Sequence, residues 1–256
     1  MADKQTTTQR DGFKSKWGFI LACIGSAVGM GNIWRFPIMV SLWGGMTFLI
    51  PYFICVILIG STGVIGEFAL GRATGAGPIG AFGKCTELRG NRKIGEAIGF
   101  IPVLGSMALA IGYTVVMGWI FKYTAISITG DMHAMGQDMA AIGGHFDVVA
   151  VSNLPWIIVA IVASFAIMAM GVSGGIEKAN KVMMPILFFL FVGLGIYIAF
   201  LPGASDGYKY IFKLDPKGLA NPMVWIFAFG QAFFSLSVAG NGSVIYGSYL
   251  PKKENI

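Results

Sequence analysis

The chain has 256 residues, 55% of them hydrophobic and 12% charged, with a net charge of +6 and a mean hydropathy of +0.73. Soluble domains carry roughly a quarter charged residues, so this composition excludes a soluble globular protein. Only helices or closed barrels satisfy their backbone groups in hydrocarbon, and the long unbroken apolar runs, unlike the alternating ten-residue (roughly) segments of a barrel, point to helices.

Residues 1–16 form a basic cytoplasmic N-terminus with Lys4, Arg10, Lys14 and Lys16. Span one follows near 17–39. It is too long for a cleaved signal peptide, ends in Trp34-Arg35 and lacks a small-residue cleavage site. Its centre reads Gly25-Ser26-Ala27-Val28-Gly29-Met30-Gly31-Asn32. Each Gly weakens a helix by about 1 kcal/mol relative to Ala, so Gly25, Gly29 and Gly31 mark a predicted break at mid-membrane. An unwound turn turns free carbonyls toward a cation, and the following half-helix turns its positive end toward an anion. The alternative for the Gly25–Gly29 pair is close helix packing through small residues.

Span two is expected near 46–70 and carries Pro51-Tyr52 and an intramembrane Glu67. Arg35 and Glu67 are ionisable residues inside spans, which face a partner or cavity or reach the interface. The loop beyond is basic, with Arg72, Lys84, Arg89, Arg92 and Lys93. Span three is predicted near 97–124, and the segment Ile126–Ser152 after it, read as a loop, has no Lys or Arg. Span four falls near 153–172; Lys178 and Lys181 precede span five near 181–201. The extracellular loop 202–220 holds Lys209, Lys213 and Lys217, a mild exception to the positive-inside rule. Span six lies near 221–249, with a small, polar centre from Gly230 through Ser243 that predicts a second mid-membrane break. Residues 250–256 form a cytoplasmic end with Lys252 and Lys253. The basic loops place both termini in the cytoplasm and account for the net charge without nucleic-acid binding.

Several pattern matches carry no chemistry. Gly171-Val172-Ser173-Gly174-Gly175 fits a nucleophile elbow but has no strand-turn-helix setting, and His133 and His145 are expected on the opposite face. The glycine-rich runs 71–80 and 171–175 read as flexible loops. Asn241-Gly242-Ser243 matches a glycosylation acceptor but lies inside a span. No cluster has metal-ligand spacing, and Cys23, Cys55 and Cys85 imply no disulfide. An enzyme is not expected.

Gly25 through Pro37, Pro51-Tyr52, Tyr113, and Gly230-Gln-Ala-Phe-Phe-Ser-Leu-Ser237 ending in Tyr246-Gly-Ser-Tyr249 resemble the neurotransmitter:sodium symporter family, in its bacterial amino-acid-transporting form. The resemblance runs from about residue 10 to the end. It implies an all-α membrane fold of the LeuT-like kind: residues 17–201 as the first inverted repeat of five helices, and 221–249 as the first helix of the second repeat. The family continues into further spans, so the chain resembles an N-terminal half. The implied function is sodium-coupled symport of an amino acid across the cytoplasmic membrane by alternating access. A non-transporting fragment or interaction subunit, completed by a separately encoded second half, is the alternative; a channel, with currents uncoupled from an amino acid, is a remoter one.

The resemblance also implies roles. Sodium would be held by the carbonyls of Gly25, Ala27 and Val28, the Asn32 side chain and Ser235. The substrate carboxylate would meet the Met30 and Gly31 amides and Tyr113, and its amine Ala27, Phe234, Ser235 and Ser237. Leu109, Tyr113 and Phe234 would line the side-chain pocket, and Gly240 would enlarge it for a large apolar or aromatic amino acid. Arg35, Tyr113 and Phe234 would gate the outer side and Arg10 the inner, although Phe13 stands where a Trp is common. Glu67 would accept N–H groups of an unwound helix, and Tyr52, Gln231 and Ser235 match chloride-site positions. Gly29 stands where monoamine carriers place an Asp, which favours a substrate carrying its own carboxylate.

Overall fold

The computed structural model describes residues 12–136, 138–238 and 240–250. All described regular structure is helical. Three helical stretches are long and apolar enough to cross a membrane: Met46–Thr74, Arg92–Thr129 and Val172–Ala199. Two bent pairs pass the same test, Lys16–Ala27 with Gly31–Leu42 at 59°, and Met139–Val151 with Leu154–Ala169 at 66°. The chain is a multi-pass membrane protein. It divides into two compact units, residues 1–103 with 172–256, and residues 104–171.

The larger unit holds both broken spans. Helix α1 (Lys16–Ala27) starts at Ser15, whose hydroxyl accepts from the Gly18 amide and closes the first turn. It ends at Val28, where ψ leaves the helical region. A π-helical turn, Gly31–Arg35, leads into α2 (Phe36–Leu42). Gly44 and Gly45 both take positive φ and turn the chain into α3 (Met46–Ile59). A π turn at Gly60–Val64 joins α3 to α4 (Ile65–Thr74), so span two is continuous although Pro51 lies inside it. Gly75 caps α4 in the left-handed conformation, and α5 (Pro78–Glu87) opens on a proline at its first position. The run 71–80, expected to be loop, is thus two helix ends and a tight joint.

Helix α6 (Arg92–Thr129) extends five residues beyond the predicted span at each end and passes from the larger unit into the smaller. The smaller unit continues with α7 (Asp131–Ala134), α8 (Met139–Val151) and α9 (Leu154–Ala169). The sequence 126–152, expected to be a loop, is largely helical; Asp138 caps α8 by accepting from the Ala140 and Ala141 amides. Within this unit Trp119 packs edge-on against Phe146, and Tyr123 against His145.

The chain returns to the larger unit through a third π turn, Val172–Ile176, which runs directly into α10 (Glu177–Ala199). The glycines at 174 and 175 therefore widen a helix rather than form a flexible loop. The segment 202–220 also contains helices, α11 (Ala204–Phe212) and α12 (Pro216–Leu219). Span six is α13 (Pro222–Ser235) and α14 (Gly242–Ser248), separated by 236–241. Helix α13 packs along α3, around Val40, Phe48, Val224 and Ala228, and α14 packs along α4. Helix α1 lies against α10.

Candidate functional site

The two breaks face each other inside the larger unit. In span one the Val28 amide still donates to Ile24 at 2.7 Å, but the next contacts are turn-like: Gly29 N–H to Ala27 carbonyl at 3.0 Å and Asn32 N–H to Gly29 carbonyl at 2.9 Å. In span six Ser237 and Asn241 adopt φ of 52° and 66°, the two positive values among described non-glycine residues. Such backbone costs about 1–3 kcal/mol per residue and persists only where surroundings hold it. The holding contacts are visible. The Ser237 hydroxyl donates to the Ser26 carbonyl at 2.8 Å, and the Asn241 amide to the Pro102 carbonyl at 2.9 Å.

Between the breaks, three residues singled out in the sequence form one hydrogen-bonded chain. The Asn32 amide donates to the Ala27 carbonyl at 2.8 Å, and the Ser235 hydroxyl donates to the Asn32 side-chain oxygen at 2.6 Å. Gln231, fully buried one turn earlier on α13, points its amide nitrogen at the Ser235 hydroxyl at 3.4 Å. Its own side-chain oxygen is buried with no hydrogen-bond partner. Burying such an acceptor costs about 1–3 kcal/mol, which makes this a polar and incompletely satisfied point of the unit's interior. Gly31 and Phe234 also meet: a Cβ on Gly31 would overlap the Phe234 ring, so glycine lets that ring lie against the break in span one.

Other predicted residues are placed differently. A Cβ on Gly25 would overlap Asn180 of α10 and lie 2.9 Å from the Met184 sulfur. Its α-carbon therefore serves close packing, the alternative weighed above. Val28 and Met30 lie in the break, and Arg35 is exposed at the end of the π turn. Tyr52 meets the Phe36 ring at a tilt, with centroids 4.8 Å apart, and packs on the Cys55–Ile59–Ala232 cluster, next along α13 to Gln231. Glu67 occupies the first turn of α4, the helix that carries α14. For Gly240 the atoms nearest to an added Cβ belong to Ser237, the closest at 3.0 Å. Leu109 and Tyr113 lie on the part of α6 assigned to the smaller unit. Arg10 is outside the described residues.

Sequence reasoning missed the anchoring of α1. Glu177 is 1% exposed and accepts from the Lys14 amide at 2.7 Å, the Ser15 hydroxyl at 3.0 Å and the Lys181 ammonium at 2.6 Å. A side chain at Gly18 would overlap its carboxylate. A buried carboxylate needs such company, and a Glu one turn before Lys181 was the available signal. Phe13 joins the same end of α1 to α14, with ring centroids 5.6 Å from Tyr246 and 6.4 Å from Tyr249.

A profile of the Sodium:neurotransmitter symporter family matches residues 10–135 and 135–256. The chain belongs to this family. Its members are transporters rather than enzymes. The chain is 36% identical over 261 residues to an uncharacterized sodium-dependent transporter of Methanocaldococcus jannaschii, covering 97% of this chain and 51% of that protein. It is 31% identical over 274 residues to the mouse sodium-dependent neutral amino acid transporter B(0)AT3, covering 96% of this chain and 44% of that one. The crystal structure of MhsT in complex with L-phenylalanine superposes with a TM-score of 0.83 at 35% identity, covering 96% of this chain and 55% of MhsT. The all-α arrangement is thus that of the first part of a LeuT-like transporter, and the chain spans about half the length of the relatives it matches.

Proposed function

We propose that this chain supplies one wall of the sodium and substrate sites of a sodium-coupled amino-acid symporter in the cytoplasmic membrane, with the amino-terminal end of span one facing the cytoplasm. The observation that carries this is the Ala27–Asn32–Ser235 chain of hydrogen bonds, which joins the two breaks. Sodium is a hard ion that takes carbonyl, amide and hydroxyl oxygens, and these three residues offer one of each. To bind it, the Asn32 amide must release the Ala27 carbonyl and its oxygen the Ser235 hydroxyl, so ion entry exchanges two hydrogen bonds for three ion–oxygen contacts. Carbonyls of Gly25 and Val28 serve a second ion.

The substrate carboxylate reaches the amides at Met30 and Gly31, at the start of the second half of span one, where the helix end is positive. Its amine meets carbonyls of Ala27, Phe234 and Ser235, and the Ser237 hydroxyl once released from Ser26. Leu109, Tyr113 and Phe234 line the pocket, and the small Gly240 leaves room for a large apolar or aromatic side chain. Arg35, Tyr113 and Phe234 close the outer side, Arg10 the inner. Glu67 steadies the unwound backbone, and Tyr52, Gln231 and Ser235 hold chloride where it is used. Sodium and amino acid bind together because the carboxylate lies beside the ion. Spans one, two and six then rock against spans three and four, driven by the sodium gradient, with no covalent step. B(0)AT3 is named as a neutral amino acid transporter and MhsT was solved with L-phenylalanine, which supports the substrate class.

The test is binding of labelled phenylalanine, leucine and tryptophan to the purified chain in sodium and in potassium, with hydrogen exchange followed at 27–35 and 231–241. Sodium should support binding and slow exchange in both segments. Equal behaviour in the two salts would reject the proposal.

A further inference from the structure

Beside the break, at the opposite end of span one from its N-terminus, lies a cavity of about 450 Å³. Its walls include Phe36 and Val40 of α2, Leu49 of α3, and Tyr210 and Ile211 of α11. This volume is within the range of small-molecule sites, but the walls are almost wholly apolar. The Tyr210 hydroxyl is already engaged, donating to the Ser41 backbone carbonyl at 2.5 Å, which leaves the Ser41 hydroxyl as the other polar side-chain group on the rim. A polar ligand would find little to replace its water, whereas a hydrocarbon chain suits such walls.

The cavity has a fixed roof. Gly45, at φ 56°, lets α11 dock backbone to backbone: an added Cβ there would lie 2.6 Å from the Ile211 carbonyl oxygen and 2.9 Å from its α-carbon. The buried Thr47 hydroxyl accepts from the Asp215 amide at 3.0 Å, pinning the chain just past α11. Helix α11 itself is short and amphipathic, with Tyr208, Tyr210 and Phe212 exposed. Aromatic residues of this kind sit at headgroup level.

Charge selects the occupant. The segment from 204 to 219 holds three lysines against two aspartates, on the side that the positive-inside rule leaves poor in lysine. Lys209 is paired with Asp206 at 3.3 Å, and Asp215 is engaged by the Lys217 amide at 3.0 Å. Lys213 is exposed at the carboxyl end of α11, two residues beyond the wall residue Ile211. We infer that this cavity seats one acyl chain of an anionic phospholipid, whose phosphate lies on Lys213.

Native mass spectrometry of the chain in detergent, with dioleoyl phosphatidylglycerol or dioleoyl phosphatidylcholine added, tests this. One phosphatidylglycerol should be retained per chain, about five-fold more strongly than phosphatidylcholine, the preference one lysine carries near an anionic headgroup. Lys213→Glu, an exposed change that leaves the cavity alone, should abolish the preference but keep an acyl-dependent adduct. Ile211→Trp, with helix content checked by circular dichroism, should remove the adduct. Unchanged phosphatidylglycerol retention in Ile211→Trp, or equal retention of both lipids by the unmodified chain, would overturn the inference. So would a chain dimer that Ile211→Trp dissociates, since that would assign the face to a second copy.

Discussion

Ser235→Ala tests the site at its centre. The Ser235 hydroxyl donates to Asn32 at 2.6 Å and lies 3.4 Å from the Gln231 amide. Removing it leaves the Asn32 oxygen without this donor and strips one more neighbour from Gln231, whose own oxygen is already unpartnered. A buried polar group left unsatisfied costs about 1–3 kcal/mol. Where the lost hydroxyl is also an ion ligand, the same energy appears as a five- to roughly 150-fold rise in the sodium needed for half-maximal amino-acid binding. Ser235→Thr keeps the hydroxyl and should fall within a few-fold of the parent. The assay is a sodium titration of labelled amino-acid binding, beside thermal unfolding without sodium. A Ser235→Ala protein that unfolds earlier but keeps its sodium midpoint would refute the ligand role while leaving the hydrogen-bond argument intact. Unchanged values in both measurements would refute both.

Gly71→Ala should destabilise by about 1–3 kcal/mol, because the new methyl overlaps the Val244 carbonyl and lies 2.9 Å from the Ser248 nitrogen, where α4 and α14 meet backbone to backbone. Gly66→Ala on the same helix meets nothing within 4 Å and should be neutral or gain up to about 1 kcal/mol from helix propensity; chemical unfolding of the pair separates packing from propensity. Asn241→Ala should cost more than Asn241→Gly: both lose the bond to Pro102, but only alanine adds about 1–2 kcal/mol of left-handed strain, as unfolding midpoints would show. Gly240→Phe should shift binding toward leucine and away from tryptophan; an unchanged ranking in competition binding would reject the pocket-size argument.

The break in span one was legible because three glycines and an asparagine within eight residues leave a helix little to stand on. Span six was legible for a different reason: hydroxyls and amides at mid-span have no business facing lipid. The segments at 126–152 and 202–220 were read only as connections between spans, since their helices are shorter than the roughly 20 residues of a span signal; the second is fixed by contacts such as Asp215 to Thr47. The glycine run at 171–175 misled in the same direction. Glycine lowers helix propensity, but inside a π turn its missing side chain relieves crowding, and only the structure shows that the helix continues. The Glu177 anchor was hidden because two of its three partners, Lys14 and Ser15, lie more than 160 residues away.

The π turn of span two explains how a broken helix finds a continuous partner. Its residues Gly60 and Gly63 face the break in span six: an added Cβ at Gly60 would be 3.9 Å from Leu236, and one at Gly63 3.5 Å from Val238. Larger residues there would press on the turn that carries Ser237 and Asn241 out of the helical region. Widening a helix also disturbs its hydrogen-bond register, and the two residues between these glycines compensate. The Ser61 and Thr62 hydroxyls both donate back to the Leu58 carbonyl, at 3.1 and 2.7 Å. Span two therefore stays intact where span six does not, with α13 packed on one side of the π turn and α14 on the other. The sequence Gly60-Ser-Thr-Gly63 and the interrupted centre of span six are two halves of one device. A change that straightens the first, such as replacing both glycines by leucine, acts on the second.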